Sequence, residues 1–217
     1  MKTMNITVFG ATGSVGGQVV AEALARGHRV TAVVRDAARL PELPATALGR
    51  TGDARSAEGV AELSTGQDVV VGATRPAPGR ERELTVTTRT LLAGAAGAGT
   101  RLLLVGGAGS LTVPGTGGRT VLDDPRYLHP DWRVVAEAGA EQLAVCRADT
   151  SAADWAYLSP PARLEPGERT GRYRLGADEL ITDAEGVSRI TVADLAVALL
   201  DEAENPRHRR RRFTVAH

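Results

Sequence analysis

Residues 5–17 read Asn-Ile-Thr-Val-Phe-Gly-Ala-Thr-Gly-Ser-Val-Gly-Gly, and this stretch decides the fold. The apolar run Asn5–Phe9 predicts a short buried strand, and a glycine-rich turn follows it directly. Across Ser14–Arg26 the apolar residues recur at helical spacing, and Gly27 is a typical helix stop. Arg29–Val34 then has the pattern of a second strand. Together these segments predict one βαβ unit, in which a helix joins two parallel strands.

Strands and helices continue to alternate along the rest of the chain. The further strand candidates are 47–51, 68–71, 101–105, 155–159 and 211–215, and the further helix candidates are 56–63, 81–98, 131–147 and 192–204. This order predicts an α/β fold: a single doubly wound Rossmann domain over residues 1–217, with a mostly parallel sheet and helices on both faces. Two ranges, 106–130 and 160–173, break the rhythm. Each follows a predicted strand, so we expect them to form substrate-site loops at the carboxyl edge of the sheet.

Composition excludes several classes of protein. The 217 residues carry 26 Lys+Arg and 26 Asp+Glu, which argues against a chain whose main role is to bind nucleic acid or an anionic membrane. The arginine-rich run 207–212 leads into a strand candidate and has no interleaved aromatic residues, so no nucleic-acid partner is expected. A single cysteine, Cys146, excludes an internal disulfide and a cysteine-built metal site. Asp123 and Asp124 have no third ligand at useful spacing, so no metal is expected either.

The chain has no run of ~18 apolar residues and no signal-like hydrophobic start. We therefore expect a cytoplasmic protein that does not bind a membrane. The composition leaves the assembly open between a monomer and a homodimer. The two tryptophans, Trp132 and Trp155, are expected in the core or in the wall of a groove.

The glycine-rich turn between the first strand and the first helix is the strongest functional motif. Glycines at such a turn let the backbone approach a pyrophosphate, and the helix N-terminus supplies free N–H groups and a positive dipole. The spacing is G-x-x-G-x-x-G, and the flanking strand and helix favour a dinucleotide site over a plain structural turn. The predicted cofactor-binding residues here are Gly10, Thr12, Gly13, Ser14, Val15 and Gly16.

The residues at the carboxyl end of the second strand help to determine whether NAD or NADP binds. Arg35 occupies the tip and Asp36 follows it. An acidic residue at this place hydrogen-bonds the ribose 2′-hydroxyl of NAD, whereas an arginine accommodates the 2′-phosphate of NADP. The sequence therefore favours NADP(H), with NAD(H) as the alternative.

Small or polar residues follow the other strands and extend the predicted cofactor site. We expect the residues after the third strand to flank the adenine, those after the fourth to lie at a ribose, and those after the fifth to border the nicotinamide. The residues concerned, with two more at the end of the sixth strand, are Asp53, Ala54, Gly72, Ala73, Thr74, Gly106, Gly107, Ser159 and Pro160.

Several motifs together resemble a known group of proteins. They are the GATGxxGG turn, the GGAGSL element at 106–111, the block 165–176 and the closing Arg-Arg-Phe-Thr-Val at 211–215. The chain resembles the atypical short-chain dehydrogenase/reductases of the NADH-flavin reductase group, relatives of biliverdin-IXβ reductase and of the NmrA-like proteins. The resemblance implies a Rossmann domain that binds NAD(P)H with a small, open substrate site. One departure, Ala162 where a histidine can follow the Pro-Pro pair, weakens the biliverdin analogy.

The Tyr-x-x-x-Lys pair typical of short-chain dehydrogenases is absent, because the only lysine is Lys2. Alcohol oxidation by that pair is therefore not expected. Hydride transfer to a conjugated acceptor requires orientation more than a strong protein acid. Ser110 is the first candidate for a polar contact near the reacting carbon, and Tyr127 and His129 are candidate proton donors.

The leading functional hypothesis is an NADPH-dependent reductase of a small conjugated acceptor, such as a flavin, a quinone or an enone. A second hypothesis is a non-catalytic NADP sensor of the NmrA-like kind. A third is a biosynthetic tailoring enzyme or isomerase on the same fold. For the enzyme hypotheses the expected partner beside the dinucleotide is a small-molecule substrate.

Overall fold

A computed structural model describes residues 2–217. The strands are β1 Asn5–Phe9, β2 Arg29–Val34, β3 Leu48–Thr51, β4 Val69–Gly72, β5 Arg101–Val105, β6 Trp155–Ser159, β7 Arg163–Glu165, β8 Arg174–Gly176, β9 Arg189–Thr191 and β10 Arg211–Ala216. The α-helices are α1 Ser14–Ala25, α2 Ala57–Ser64, α3 Glu83–Ala98, α4 Arg133–Ala148 and α5 Val192–Glu204. Short 3₁₀ helices span Ala37–Glu42, Val121–Asp123 and Pro130–Trp132.

Eight strands form one sheet in the order β3-β2-β1-β4-β5-β6-β10-β8. All neighbouring strands are parallel except β8, which pairs antiparallel with β10 at the edge. The chain winds outward from β1 to β3 and then returns to β4 on the other side of β1. In open α/β sheets ligands bind at such a reversal, outside the carboxyl ends of the strands. A separate pair of parallel strands, β7 and β9, lies apart from the main sheet.

Helices cover both faces of the sheet, because alternate side chains of each strand point to opposite faces. Ile6 and Val8 of β1 are fully buried in the core formed with α1 and α5. Phe9, one residue further on, points to the opposite core, which α2, α3 and α4 cover. The predicted doubly wound α/β fold is confirmed by this arrangement.

Local signals account for the ends of the helices. Gly27, after α1, and Gly99, at the end of α3, both have φ values in the left-handed region, +79° and +64°, where glycine is favoured. Thr191 caps α5, since its hydroxyl accepts a hydrogen bond from the Asp194 backbone N–H at 3.0 Å. The ends of this helix and of α1 lie within two residues of the sequence-based expectation.

Three short strands were not predicted from the sequence. The range 160–173, expected to be loop, contains β7, and the strands β8 and β9 follow it. Each has only three residues, and in β7 the outer residues Arg163 and Glu165 are exposed while Leu164 points inward. Such a pattern is too short to distinguish a strand from a turn. The range 106–130 carries no strand or α-helix, as expected.

Candidate functional site

A cleft of about 690 Å³ opens at the carboxyl ends of the first strands, at the point where the strand order reverses. Its size is within the range of ~300–1,000 Å³ usual for small-molecule and cofactor sites. One end, called the Arg35 end, is lined by residues that follow β2 and β3. The other, called the Trp132 end, is lined by Ala73, Thr74, Arg75, Pro76, Tyr127, Leu128, His129, Trp132, Ala162, Leu164 and Pro166. The glycine-rich turn after β1 also lines the cleft.

The turn after β1 is built on close backbone contacts that only glycine allows. A Cβ atom at Gly10 would lie 2.4 Å from the carbonyl oxygen of Ala73, and the Gly10 φ of +83° is in the left-handed region. A Cβ atom at Gly16 would lie 2.1 Å from the carbonyl oxygen of Gly10. These contacts fix the turn against β4 and bring the start of α1 under it.

The N-terminus of α1 is left free for an anion. Gly13 occupies the N-cap position and offers no side-chain hydrogen bond, and no acidic residue lies in the first turn. Ser56 caps α2 and Thr191 caps α5 through their hydroxyl oxygens, whereas α3 and α4, like α1, have no side-chain cap. Ser14 and Val15, which begin α1, line the cleft, whereas α3 begins with an acidic residue. The first amides of α1 have no intrahelical partner, and the helix dipole favours negative charge there. The residues present therefore fit a dinucleotide pyrophosphate.

The Arg35 end combines one free cation with several paired ones. Arg35 is exposed and forms no ion pair within residues 2–217. Asp36 is engaged as a cap, since its carboxylate accepts the Ala38 N–H at 2.9 Å. Hydrogen bonds from Arg55 hold the pKa of the Asp53 carboxyl below its usual range, and partial burial opposes that shift. At the tip of β2, the side chain without a hydrogen-bonded or ion-paired partner among the described residues is therefore the positively charged Arg35.

The Trp132 end is more apolar. Its lining includes Leu128, Leu164 and Pro166, with Trp132 about half exposed. Two catalytic candidates lie here as well. The Tyr127 hydroxyl donates to the carbonyl oxygen of Gly186 at 3.1 Å. The exposed His129 ring has its Nδ1 atom 3.3 Å from the Asp131 carboxylate.

The glycines after β5 have a packing reason. A Cβ atom at Gly106 would lie 1.9 Å from the ring of Tyr157, which is fully buried. The Tyr157 hydroxyl accepts the Gly107 N–H at 3.2 Å and donates to the carbonyl oxygen of Gly139 at 2.8 Å. Burial raises the pKa of this phenol far above its ordinary value. Gly106 and Gly107, predicted at the nicotinamide, thus lie against β6 and α4 and do not line the cleft.

Ser110 also lies away from the cleft. Its hydroxyl oxygen accepts a hydrogen bond of 2.8 Å from Arg212, whose guanidinium is buried and pairs with Asp178. Gly16, Gly72, Ser159 and Pro160, predicted to touch the cofactor, are buried and do not line the cleft.

The structure brings most of the predicted site residues to one cleft. Those that line it are Gly10, Thr12, Gly13, Ser14, Val15, Arg35, Asp53, Ala54, Ala73, Thr74, Tyr127 and His129. Arg39, Arg55 and Arg75 also line it and were not singled out from the sequence. Only their position after β2, β3 and β4 distinguished them from the chain's many other arginines.

Residues 2–217 contain no cluster of three or more His, Cys, Asp or Glu side chains able to hold a metal ion. No helix within them has the length and apolar character needed to cross a membrane.

Comparison with known proteins gives matches over almost the whole chain. A family model described as NAD(P)H-binding matches residues 10–203. YwnB, an uncharacterised protein of Bacillus subtilis, is 38% identical over 214 residues, which cover 98% of each chain. A Bacteroides thetaiotaomicron structure named as an epimerase is 36% identical with a TM-score of 0.88, covering 100% of this chain and 98% of that one. A Streptococcus pneumoniae structure named as an NADH-flavin reductase is 30% identical with a TM-score of 0.84, covering 99% of each chain.

Proposed function

This chain belongs to the NAD(P)H-binding family, and from that premise we propose that it is an NADPH-dependent reductase of a small conjugated acceptor. The observation that carries the proposal is the uncapped N-terminus of α1, which opens into a cleft with an apolar end. The first feature suits a dinucleotide pyrophosphate, and the second suits a planar organic acceptor. The Streptococcus pneumoniae relative, named as an NADH-flavin reductase, supports the reductase class.

The chain's own residues would hold the cofactor in an extended form along the cleft. The backbone of residues 10–15 would bind the pyrophosphate, and Asp53 and Ala54 would flank the adenine. Ala73 and Thr74, which follow β4, would lie beside the nicotinamide half. A bound NADPH would supply a hydride, which is two electrons with one proton, and would leave as NADP⁺. The acceptor would take up the hydride and one further proton, from solvent or from a protein group.

Preference for NADP(H) is supported by charge at the Arg35 end. Arg35 has no carboxylate partner within residues 2–217, and Asp36 already accepts a backbone N–H. A guanidinium suits the 2′-phosphate through charge-assisted hydrogen bonds. Arg39, although paired with Glu42, adds a second positive charge beside it.

Catalysis would depend on positioning the acceptor. The phenol of Tyr127 has no lysine beside it, so a strong tyrosine acid of the dehydrogenase kind is not available. His129 would instead donate a weak hydrogen bond to the acceptor or to the water that protonates it, and Tyr127 would do the same after its hydroxyl turns from the Gly186 carbonyl. The apolar lining at the Trp132 end would exclude other water from the reacting atoms.

The test combines binding with turnover. Calorimetry with NADPH and NADH gives cofactor affinity, and stopped-flow absorbance follows NADPH oxidation with a flavin, a quinone and an enone. We expect tighter binding of NADPH and oxidation with at least one acceptor. Tight NADPH binding without oxidation by any acceptor would favour the non-catalytic sensor, and no binding of either dinucleotide would overturn the proposal.

A further inference from the structure

Arg75 and Trp132 meet across the mouth of the cleft. The guanidinium carbon of Arg75 lies 5.4 Å from the centre of the Trp132 ring, within the range of a cation–π contact. Arg75 follows β4, and Trp132 ends the 3₁₀ helix before α4. Two loops from different parts of the sheet edge are thus joined by one contact at the Trp132 end.

Both side chains are available to a ligand. Arg75 is exposed, and within residues 2–217 it forms no ion pair. The acidic group that it influences, Glu81, already accepts the Gly79 N–H at 2.9 Å. Trp132 is 53% exposed, which is unusual for the largest apolar side chain in a chain with only 3% aromatic residues. An exposed ring and a cation that forms no ion pair thus lie side by side in the lining of the cleft, where a ligand can reach both.

Resting on the proposed function, we propose that Arg75 and Trp132 select a planar acceptor that carries an acidic group. The indole ring would stack on the conjugated system, since aromatic faces attract one another in offset geometry. The Arg75 guanidinium would turn from the indole to the carboxylate, phosphate or sulfonate of the acceptor. A planar guanidinium is well suited to such a group, because two of its N–H donors can bind the acidic oxygens side by side.

The charges around this end agree with an anionic ligand bound at Arg75. His129 and Asp131 lie against each other at 3.3 Å. Glu83, which also lines the cleft, is held by Arg80 and Arg55. Arg75 is therefore the one charged group lining the Trp132 end, within residues 2–217, that forms no ion pair. Its charge nevertheless adds to the backbone hydrogen bonds that lower the pKa of Glu81.

Pairs of acceptors that differ only in charge test the inference. Flavin mononucleotide and riboflavin share a ring system, as do 1,2-naphthoquinone-4-sulfonate and 1,2-naphthoquinone. Binding is measured by calorimetry with the protein saturated with NADP⁺, so that no turnover occurs. We expect the charged member of each pair to bind roughly tenfold tighter at low salt, and the difference to shrink as salt screens the contact.

Three variants and one control variant distinguish the role of Arg75 from that of Trp132. Arg75→Gln should remove the preference for the charged member and leave the binding of the uncharged one unchanged. Arg82→Gln, which removes an exposed unpaired charge outside the cleft, is the matched control and should preserve the preference. Trp132→Leu should weaken both members of each pair, and Trp132→Phe should restore most of the loss.

The outcomes distinguish this inference from the proposed function. NADPH oxidation that is equally efficient with charged and uncharged acceptors would overturn the selection of acidic acceptors and leave the reductase standing. A loss of NADPH affinity in Arg75→Gln as large as the loss of acceptor affinity would place Arg75 in the cofactor site and overturn the inference too. Absence of oxidation with every acceptor would instead overturn the reductase.

Discussion

The ring of Tyr157 fills the space in which a side chain at Gly106 would lie, at 1.9 Å from the position of its Cβ atom. The hydroxyl of the same tyrosine joins the Gly107 N–H to the carbonyl oxygen of Gly139. Tyr157 therefore ties the turn after β5 to α4 from inside the core.

Tyr157→Phe tests this tie. The substitution keeps the ring but leaves the Gly107 N–H and the buried Gln142 side chain without the tyrosine hydroxyl, while the Gly139 carbonyl keeps its place in the helical ladder of α4. An unsatisfied buried polar group costs about 1–3 kcal/mol, so we expect a loss of stability in this range, measured by urea unfolding. Tyr127→Phe, which removes a hydroxyl from a half-buried loop, is the control and should cost less than about 1 kcal/mol. Equal losses in the two variants would contradict the structural role of Tyr157.

Gly13→Val should strongly weaken cofactor binding and leave the fold intact. The Gly13 backbone has φ −78° and ψ 166°, which valine adopts readily, and a Cβ atom there would meet only the Gly10 carbonyl oxygen, at 3.2 Å. The added methyl groups would occupy the place of the pyrophosphate at the start of α1. Loss of two hydrogen bonds of about 1 kcal/mol each weakens NADPH binding by about thirtyfold or more, measured by calorimetry.

The control for Gly13→Val is Gly17→Ala in the same turn. A Cβ atom at Gly17 would lie 3.6 Å from the Ala11 carbonyl oxygen, an ordinary contact. This variant should bind NADPH as the parent protein does. An unchanged NADPH affinity in Gly13→Val, with circular dichroism showing a folded protein, would contradict the placement of the pyrophosphate at the start of α1.

Arg35→Ala should weaken NADPH far more than NADH. A charge-assisted contact to the 2′-phosphate contributes about 1.5–3 kcal/mol, or roughly ten- to a hundredfold in affinity, and NADH has no such phosphate. Arg50→Ala removes another exposed charge, on β3 and outside the cleft, and serves as the control. If Arg35→Ala lowered both affinities equally, the preference for NADP(H) would lose its basis.

Much of the architecture could be predicted from the sequence because its signals are local. The βαβ unit, the long helices and the buried strands follow from periodicity and glycine stops, and the motifs identified the family that the NAD(P)H-binding match confirms. The three-residue strands β7, β8 and β9 carry no such signal.

Contacts between distant residues could not be predicted in the same way. Ser110 and Arg212 are 102 positions apart, and no local sequence pattern at either residue predicts their hydrogen bond. The small residues at 106–109 fit a cofactor approach and a helix packed close to a turn equally well. The position of Tyr157 and α4 supplies the packing reason, and the cofactor role of Gly106 and Gly107 stays a prediction.

The bidentate ion pair between Asp124 and Arg126 should make the free energy of unfolding depend on pH in the acidic range. Two Arg126 nitrogens donate to the Asp124 carboxylate at 2.9 and 2.6 Å, and these hydrogen bonds lower the pKa of Asp124 from 3.8 to about 2. Because the folded pKa lies below the unfolded one, this stabilisation is fully present above about pH 4 and is lost as pH falls through about 2.

Asp124→Asn tests this pH dependence. We expect the parent protein to be more stable than the variant at pH 6 and the difference to shrink between pH 4 and pH 2, measured by urea unfolding at each pH. Glu42→Gln removes a carboxylate from the exposed pair with Arg39 and should show a smaller change. A difference between parent and Asp124→Asn that stays constant down to pH 2 would contradict the role of the ion pair.

The last prediction separates the candidates for catalysis. Tyr127 lines the cleft, whereas Ser110 lies outside it and is held by Arg212. We therefore expect Tyr127→Phe to slow single-turnover NADPH oxidation by up to roughly tenfold, the effect of losing about 1.4 kcal/mol from one orienting hydrogen bond. Ser110→Ala should leave that rate nearly unchanged and lower the stability instead, because the buried Arg212 loses a hydrogen-bond partner. Single-turnover absorbance with a quinone acceptor, with urea unfolding beside it, measures both quantities. A large loss of rate in Ser110→Ala at unchanged stability would place its hydroxyl at the reacting carbon, and abolition by Tyr127→Phe at unchanged NADPH affinity would make that phenol an indispensable acid.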